Sequence, residues 1–237
     1  MTIATRAGVA ATAIALAIGL SACGSDTEGE ATKAGESSAT SETSEAAAPT
    51  TTEAPPTSQT PAASPGMTLD QYILDNNIDS KAVVQGDSGA PTITLPFAPG
   101  WGPAGPDTPQ GAFDAMTLTG TPPPPNPPTI VTFVSKLTGD VDPAKILAYA
   151  PNDTLALPDF QGANAGKQST LAGFEATQIG GFYKKDGVSY LIAQKTVVVP
   201  ADDGVFVVKI TAEGTEDHAM QLMDATAAID EQATIVP

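Results

Sequence analysis

The spacing of hydrophobic and polar residues changes several times between residues 67 and 237. Apolar residues at every second position, or in short runs bounded by Gly, Pro, Asp or Asn, predict β-strands. Apolar residues spaced three and four apart predict amphipathic helices. The predicted strands are 91–96, 113–118, 129–137, 174–183, 188–199 and 205–211.

Three helices are predicted, and each begins at a residue that can cap it. Thr68 opens a capping box, and Asp142 stands directly before a proline that suits the first helical position. Thr215 precedes the last helix, which continues to about Asp230. The residues predicted to form the apolar face of that helix are Ala219, Leu222, Met223, Thr226 and Ile229.

Short turns join the last three predicted strands. Asp186-Gly187 is typical of a hairpin turn, so these strands form an antiparallel meander. Amphipathic helices must cover the apolar side of such a sheet, which predicts an α+β fold with an antiparallel β-sheet covered by helices. The unbroken run 197–199 (Val-Val-Val) predicts that both faces of the sheet are covered at that end.

Two segments are rich in proline or glycine. Residues 97–111 are predicted to be an irregular loop, and residues 122–128 a stiff polyproline connection or a docking ligand for an aromatic groove. Because long loops often carry function, we name Phe97 and Trp101 as candidate ligand-binding residues, together with the loop 150–166. The alternative for Trp101 is that it covers the core.

The N-terminus indicates export and lipidation. Residues 1–22 have a positive start and a short apolar stretch, as a signal peptide does. The sequence from Leu20 to Gly24 (Leu-Ser-Ala-Cys-Gly) resembles the bacterial lipobox, in which the cysteine is diacylated. We therefore expect a diacylglyceryl group on Cys23 and an anchor on the outer face of the cell membrane. The alternative is that Cys23 is an incidental free thiol.

Residues 23–66 form a predicted tether. Residues 24–66 consist mainly of Ser, Thr, Pro, Ala, Gly and Glu and contain no Val, Ile, Leu, Met or aromatic residue. Such a segment buries too little apolar surface to offset the entropy of ordering, so we expect it to be disordered. Its threonine runs permit O-glycosylation. The folded domain is predicted to span residues 67–237.

Charge and residue counts exclude several kinds of chemistry. The chain has 27 acidic and 10 basic residues and a formal charge of −17, which argues against nucleic acid as a partner. Its single cysteine, Cys23, and single histidine, His218, exclude an internal disulfide and a zinc site built from cysteines and histidines. We predict no cofactor and no bound metal.

One segment resembles a catalytic motif. Gly86-Asp87-Ser88-Gly89 is similar to the segment around the nucleophile of chymotrypsin-like proteases, but His218 follows Ser88 here, and in those enzymes the histidine comes first. Turn-forming residues explain the segment more simply. We predict that the protein is not an enzyme, and a serine hydrolase at Ser88 is kept as a remote alternative.

The ordered set of these features resembles a known family. A lipobox, a Thr/Pro-rich stalk, a short helix at 69–73, the segments 95–101 and 139–143, a meander and a C-terminal helix are similar to the LpqN/LpqT lipoproteins of mycobacteria and related actinobacteria. The resemblance implies a PsbP-like α/β/α sandwich and a role in the cell envelope, in contact with envelope lipids or the machinery that exports them. It supplies no catalytic motif.

Two functions follow as hypotheses. The first is a non-catalytic module that binds an apolar or amphipathic envelope ligand, such as a lipid or glycolipid, in a groove between sheet and helices. The second is an adaptor that docks onto an envelope transporter or an exported protein through an exposed apolar patch. The acidic charge suggests that such a partner has a basic or neutral surface.

Overall fold

The computed structural model describes residues 66–120 and 124–237. The predicted signal peptide 1–22, the acylation site Cys23 and all but the last residue of the tether 23–66 lie outside the described residues, as do positions 121–123 of the proline-rich stretch. The chain divides into two units, Met1–Ala54 and Pro55–Pro237, and all the described residues belong to the second. The predicted domain boundaries therefore stay predictions.

Within the described residues the chain forms four α-helices and eleven β-strands. The helices are α1 (Leu69–Asp75), α2 (Pro143–Tyr149), α3 (Asn152–Leu155) and α4 (Ala219–Gln232). The strands are β1 (Asp79–Val83), β2 (Thr92–Thr94), β3 (Trp101–Pro103), β4 (Asp114–Leu118), β5 (Thr129–Thr138), β6 (Gln161–Gly162), β7 (Lys167–Leu171), β8 (Phe174–Lys185), β9 (Val188–Ala201), β10 (Gly204–Thr215) and β11 (Thr234–Val236).

Nine of these strands form one antiparallel sheet in the described part of the chain. Its order is β3-β4-β5-β10-β9-β8-β6, with β1 paired to the second half of β5 and β7 paired to β8. The two short strands β2 and β11 pair separately. The long meander β8–β9–β10 lies in the middle of the main sheet, so the predicted α+β fold with an antiparallel sheet is confirmed.

Helices cover this sheet on both faces. Val197 and Val199 of β9 belong to the core cluster that includes residues of α4, whereas Val198 belongs to the cluster that includes residues of α1 and α2. All three valines are buried, as the unbroken run predicts. This arrangement is compatible with the expected PsbP-like sandwich, and the likeness to PsbP itself stays a prediction.

Several local predictions are confirmed because they depend on neighbours in sequence. The side chain of Thr68 accepts a hydrogen bond from the Gln71 N–H at 3.2 Å, and Asp142 accepts one from the Ala144 N–H at 2.9 Å. The hairpin between β8 and β9 turns at Asp186-Gly187, where φ is 52° and 78°. These angles are those of a type I′ turn, which the Asp-Gly pair favours.

Other elements correct the predictions. Strands β1, β6, β7 and β11 were not predicted. β1 has four exposed residues and belongs to the sheet through backbone pairing with β5, so its sequence lacks the usual alternation. The predicted irregular loop 97–111 contains β3 and a 3₁₀ turn, Gly105–Asp107, and the loop 150–166 contains α3 and β6.

The last helix also differs from its prediction. Residues Glu216–His218 form a 3₁₀ turn, and α4 begins at Ala219. The Thr215 side chain does not cap it, since its Oγ1 lies 3.1 Å from His218 Nδ1. Placing Met223 on the buried face was wrong, because the buried residues are Leu222, Ala225 and Ile229.

Candidate functional site

A groove of about 350 Å³ lies between α4 and the strands β8, β9 and β10. Its volume is at the lower end of the range typical of small-molecule sites. α4 contributes Thr226, Ile229 and Asp230 to one wall. The groove therefore has the location that the binding-module hypothesis requires, between the sheet and a helix.

The sheet register explains why the groove is open. Gly180 of β8 pairs with Ala193 of β9, and Ala193 pairs with Ala212 of β10, so three small residues form one row across the sheet. Directly paired residues share a face of the sheet. Because none of the three has a side chain larger than a methyl group, the row leaves space beneath α4.

The row on one side of this floor is polar. Lys167 of β7 pairs with Gln178 of β8, and Gln178 pairs with Lys195 of β9. All three residues line the groove. The Lys195 Nζ lies 2.5 Å from the Asp230 Oδ1 of α4, and the Lys195 side chain is only 12% exposed while that of Asp230 is 46% exposed. This ion pair links the sheet to the helix at the polar end of the groove.

The row on the other side is apolar. Phe182 of β8 pairs with Leu191 of β9, and Leu191 pairs with Gly214 of β10. Phe182 is 39% exposed. Met223 is 59% exposed and lies three residues before Thr226, on the same side of α4. The groove thus runs from a row with two lysines over a floor of small residues, and the side chains of Phe182 and Met223 lie beyond its lining.

The sequence-predicted ligand residues lie elsewhere. Trp101 is 7% exposed and belongs to the core, on β3 at the far edge of the sheet from β8. Phe97 is 53% exposed in the segment before β3. Neither lines the groove. The burial of Trp101 matches the alternative that it covers the core, and a ligand role for the two residues stays a prediction.

The structure does not bring Ser88 and His218 together. Ser88 is exposed in a turn in which the Asp87 carboxylate accepts the Val84 N–H at 3.1 Å. It lines a hollow with Phe206, near the start of β10, whereas His218 follows the end of that strand. Nine residues of strand separate the two ends, a distance of about 30 Å. A serine needs its base within hydrogen-bond distance, so this pair cannot act as a catalytic dyad.

A second hollow of about 540 Å³ lies beside β3, β4 and β5. Two of its polar groups already have partners. The Thr117 hydroxyl donates to the Pro128 carbonyl at 3.1 Å, and the Thr119 hydroxyl donates to the Gly100 carbonyl at 2.8 Å. Because a ligand site needs polar groups that can orient its ligand, the groove beneath α4 is the better candidate.

Two pKa shifts arise from contacts elsewhere in the domain. Burial, reinforced by the neighbouring Glu213 carboxylate, raises the pKa of Tyr183, which lies on the face of the sheet opposite the groove. A hydrogen bond from Lys136, whose Nζ lies 2.6 Å from the Asp203 carboxylate, lowers the pKa of Asp203. The first contact links β8 to β10 across β9, and the second links β5 to the turn between β9 and β10. Both tie parts of the sheet together, so we interpret them as structural.

Two further features concern residues 66–120 and 124–237 as a whole. In these ranges, no three His, Cys, Asp or Glu side chains are grouped so that they could hold a metal ion. Over the same residues, no helix is both long enough and apolar enough to span a bilayer.

Comparison with known proteins gives one consistent family. The family model described as "Probable lipoprotein LpqN" matches residues 65–236. Lipoprotein LpqN of Mycobacterium tuberculosis is 46% identical over 176 residues, which cover 74% of this chain and 77% of that protein. The crystal structure of LpqN, described as involved in cell envelope biogenesis of Mycobacterium tuberculosis, has a TM-score of 0.68 and 45% identity, covering 73% of this chain and all of that one. This chain therefore belongs to the LpqN lipoprotein family.

Proposed function

We propose that this protein is a non-catalytic lipoprotein of the cell envelope that binds an apolar or amphipathic envelope lipid or glycolipid in the groove beneath α4. The observation that carries the proposal is the groove itself, with its floor of Gly180, Ala193 and Ala212. Support also comes from the related LpqN, which is described as involved in cell envelope biogenesis.

In this proposal the protein is anchored through a diacylglyceryl group on Cys23 to the outer face of the cell membrane, and the domain assists the transport of envelope lipids. Two acyl chains give stable anchoring, whereas one gives only marginal, reversible binding. Palmitate labelling checks the anchor. The wild-type chain should be labelled, Cys23→Ser should not, and labelling of the variant would contradict the assignment.

Native mass spectrometry tests the ligand. The complete chain with Cys23→Ser, which removes the predicted acylation site, is incubated with total envelope lipid extract. We expect one retained lipid class. Ala193→Leu fills the floor of the groove and should abolish retention. Ala82→Leu places the same side chain on the exposed strand β1 and should leave retention unchanged. A bare protein mass across all extracts would overturn the proposal.

An adaptor for an envelope transporter or exported protein is the second candidate. It is favoured by Met220 and Met223, two large apolar side chains exposed on α4. Cross-linking in the intact envelope tests it. A protein partner that is lost in the double variant Met220→Ser, Met223→Ser would support the adaptor, and its persistence would exclude this surface.

The proposal assigns no catalytic step. A serine-reactive phosphonate should therefore leave Ser88 unlabelled while the chain stays folded, as judged by circular dichroism. Labelling of Ser88 would contradict the non-catalytic assignment and support a serine hydrolase.

A further inference from the structure

A polar hollow of about 460 Å³ lies toward the other end of the sheet face that α4 covers. Strands β1, β5 and β10 line it, the last of them through Phe206. Along β10, the fully buried Val208 lies between Phe206 and Ile210, which lines the groove beneath α4. The hollow is therefore a separate site, and its volume is within the range typical of small-molecule sites.

Two lysines lie side by side in this hollow. Lys81 pairs with Lys136 across β1 and β5, and like charges directly opposite each other destabilise a sheet. Lys136 is compensated, because its Nζ lies 2.6 Å from the Asp203 Oδ1 and 5.7 Å from the centre of the Phe206 ring. Among the described residues, Lys81 has no carboxylate within 4.0 Å, so its ammonium group can donate to a ligand.

Hydrogen-bond acceptors line the walls beside the lysines. Asp79 of β1 pairs with Thr138 of β5 in the row next to the two lysines on the same face. The turn after β1 contributes Asp87 and Ser88. One oxygen of Asp87 accepts the Val84 N–H at 3.1 Å, and a carboxylate has a second oxygen that can accept from a ligand.

The turn that closes the hollow is held by its own hydrogen bonds. The Asp87 N–H donates to the Val84 carbonyl at 3.2 Å, and the Ala90 N–H donates to the Asp87 carbonyl at 3.1 Å. Gly86 and Gly89 have φ of 92° and 75°, in the region that favours glycine. The Asp87 carboxylate is therefore positioned before a ligand binds, which lowers the entropic cost of binding.

We propose that this hollow binds a neutral saccharide, whose hydroxyl groups bridge the Lys81 ammonium group and the carboxylates of Asp79 and Asp87. A hydroxyl both donates and accepts, so neighbouring hydroxyls fit ammonium and carboxylate groups on adjacent walls. Three carboxylates and two ammonium groups line the hollow, so their charges nearly cancel and neither an anion nor a cation is strongly attracted. Val83 and Phe206 supply apolar surface for the C–H groups of a sugar ring.

NMR titration of the complete chain with Cys23→Ser tests this site. The probes are maltose and cellobiose, with glucose, glucuronate and glucosamine as three monosaccharides of similar shape and different charge. We expect a disaccharide to shift the backbone amide signals of residues 79–90 and to bind about tenfold more tightly than glucose, because it makes more hydrogen bonds. Glucuronate and glucosamine should bind within about threefold of glucose. Tenfold tighter binding of either would overturn the neutral ligand.

Variants assign the binding to the hollow. Asp79→Asn and Lys81→Gln change exposed side chains, and each should weaken disaccharide binding about fivefold. Ser88→Leu fills the hollow and should abolish binding, whereas Ala82→Leu places the same side chain on the opposite face of β1 and should leave binding unchanged. Asp140→Asn, an exposed carboxyl outside the hollow, is the matched control for charge. Equal losses in the variants and their controls would overturn the assignment.

The remaining outcomes separate this site from the groove beneath α4. Ala193→Leu changes the groove and should leave saccharide binding unchanged. Loss of saccharide binding in Ala193→Leu would overturn the assignment to the hollow. If neither disaccharide shifts the amide signals of residues 79–90, the saccharide site is overturned while the proposed lipid groove is unaffected.

Discussion

Two rows of residues on the same three strands have opposite packing. Ala176, Val197 and Val208 form one row on β8, β9 and β10, and all three are buried in the core. Four residues away along the strands, the row that contains Gly180 and Ala193 has open space beneath α4. Backbone pairing continues unchanged through both rows, so side-chain volume alone separates a solid core from a groove.

The face of the sheet beneath α4 therefore has two ends that are packed differently. The end that contains Val197 and Val208, here called the valine row, supplies stability, because close-packed side chains gain both burial and dispersion contacts. Its small-residue end lacks those contacts and leaves room for a ligand. We expect substitutions in the two rows to separate stability from binding.

The largest effect should come from the valine row. Val208→Ala removes two buried methyl groups and leaves a cavity, so the free energy of unfolding should fall by about 2–3 kcal/mol. Urea unfolding measures it. Val188→Ala makes the same change at an exposed position at the start of β9 and should cost under about 0.5 kcal/mol. Equal losses would show that the valine row is not tightly packed.

Substitution by a larger side chain should distinguish the valine row from the small-residue row most directly. Val197→Leu introduces a larger side chain into a full core and should lower the free energy of unfolding by about 2 kcal/mol. Ala193→Leu introduces it into the groove and should cost under about 1 kcal/mol, because space is available there. Thermal and urea unfolding of both variants test this contrast. If Val197→Leu and Ala193→Leu lower the free energy of unfolding equally, the groove is not open in solution.

Breaking the ion pair between Lys195 and Asp230 should lower the free energy of unfolding by a smaller amount. Asp230→Asn leaves the nearly buried Lys195 ammonium without its carboxylate. Because Asp230 is half exposed, we expect a loss of only about 1 kcal/mol in the free energy of unfolding. Glu231→Gln, at the exposed neighbour on α4, is the control and should change little. If Asp230→Asn leaves the free energy of unfolding unchanged, α4 is held to the sheet by apolar contacts alone.

The smallest effect should appear on the opposite face of the sheet, at Asp153 of α3. Burial raises the pKa of Asp153 above its ordinary value of 3.8, and Asp70 adds to this while Lys209 opposes it. A raised pKa in the folded state means that the contribution of Asp153 to stability is complete below pH 3.8 and is lost as pH rises through the folded-state value. Replacing the carboxyl group by an uncharged amide removes this pH-dependent loss.

Asp153→Asn should therefore be slightly more stable than the wild type near neutral pH, and the difference should disappear on acidification. Urea unfolding across this pH range measures it. Asp140→Asn changes an exposed carboxyl group and serves as the control. A variant that is less stable than the wild type at neutral pH would contradict the cause assigned to the pKa.

The sequence by itself determined the parts of this protein that depend on near neighbours. Thr68 and Asp142 cap α1 and α2, and Asp186-Gly187 turns β8 into β9, because each needs only residues within a few positions. The valine run predicted coverage on both faces for the same reason. The ordered set of motifs was also sufficient to identify the family. Gly180 inside a long strand was the one local sign of the groove, since glycine there often marks a close approach of a ligand or backbone.

Tertiary structure decided the rest. β1 joins the sheet through backbone pairing with β5, which its polar side chains do not indicate. The groove exists because register places Gly180, Ala193 and Ala212 side by side, although 32 residues of chain separate the first from the last. The lysine row is aligned in the same way, by pairing across three strands. A pattern along the chain specifies which face a residue occupies, but which residues become neighbours across a sheet depends on how the strands pair.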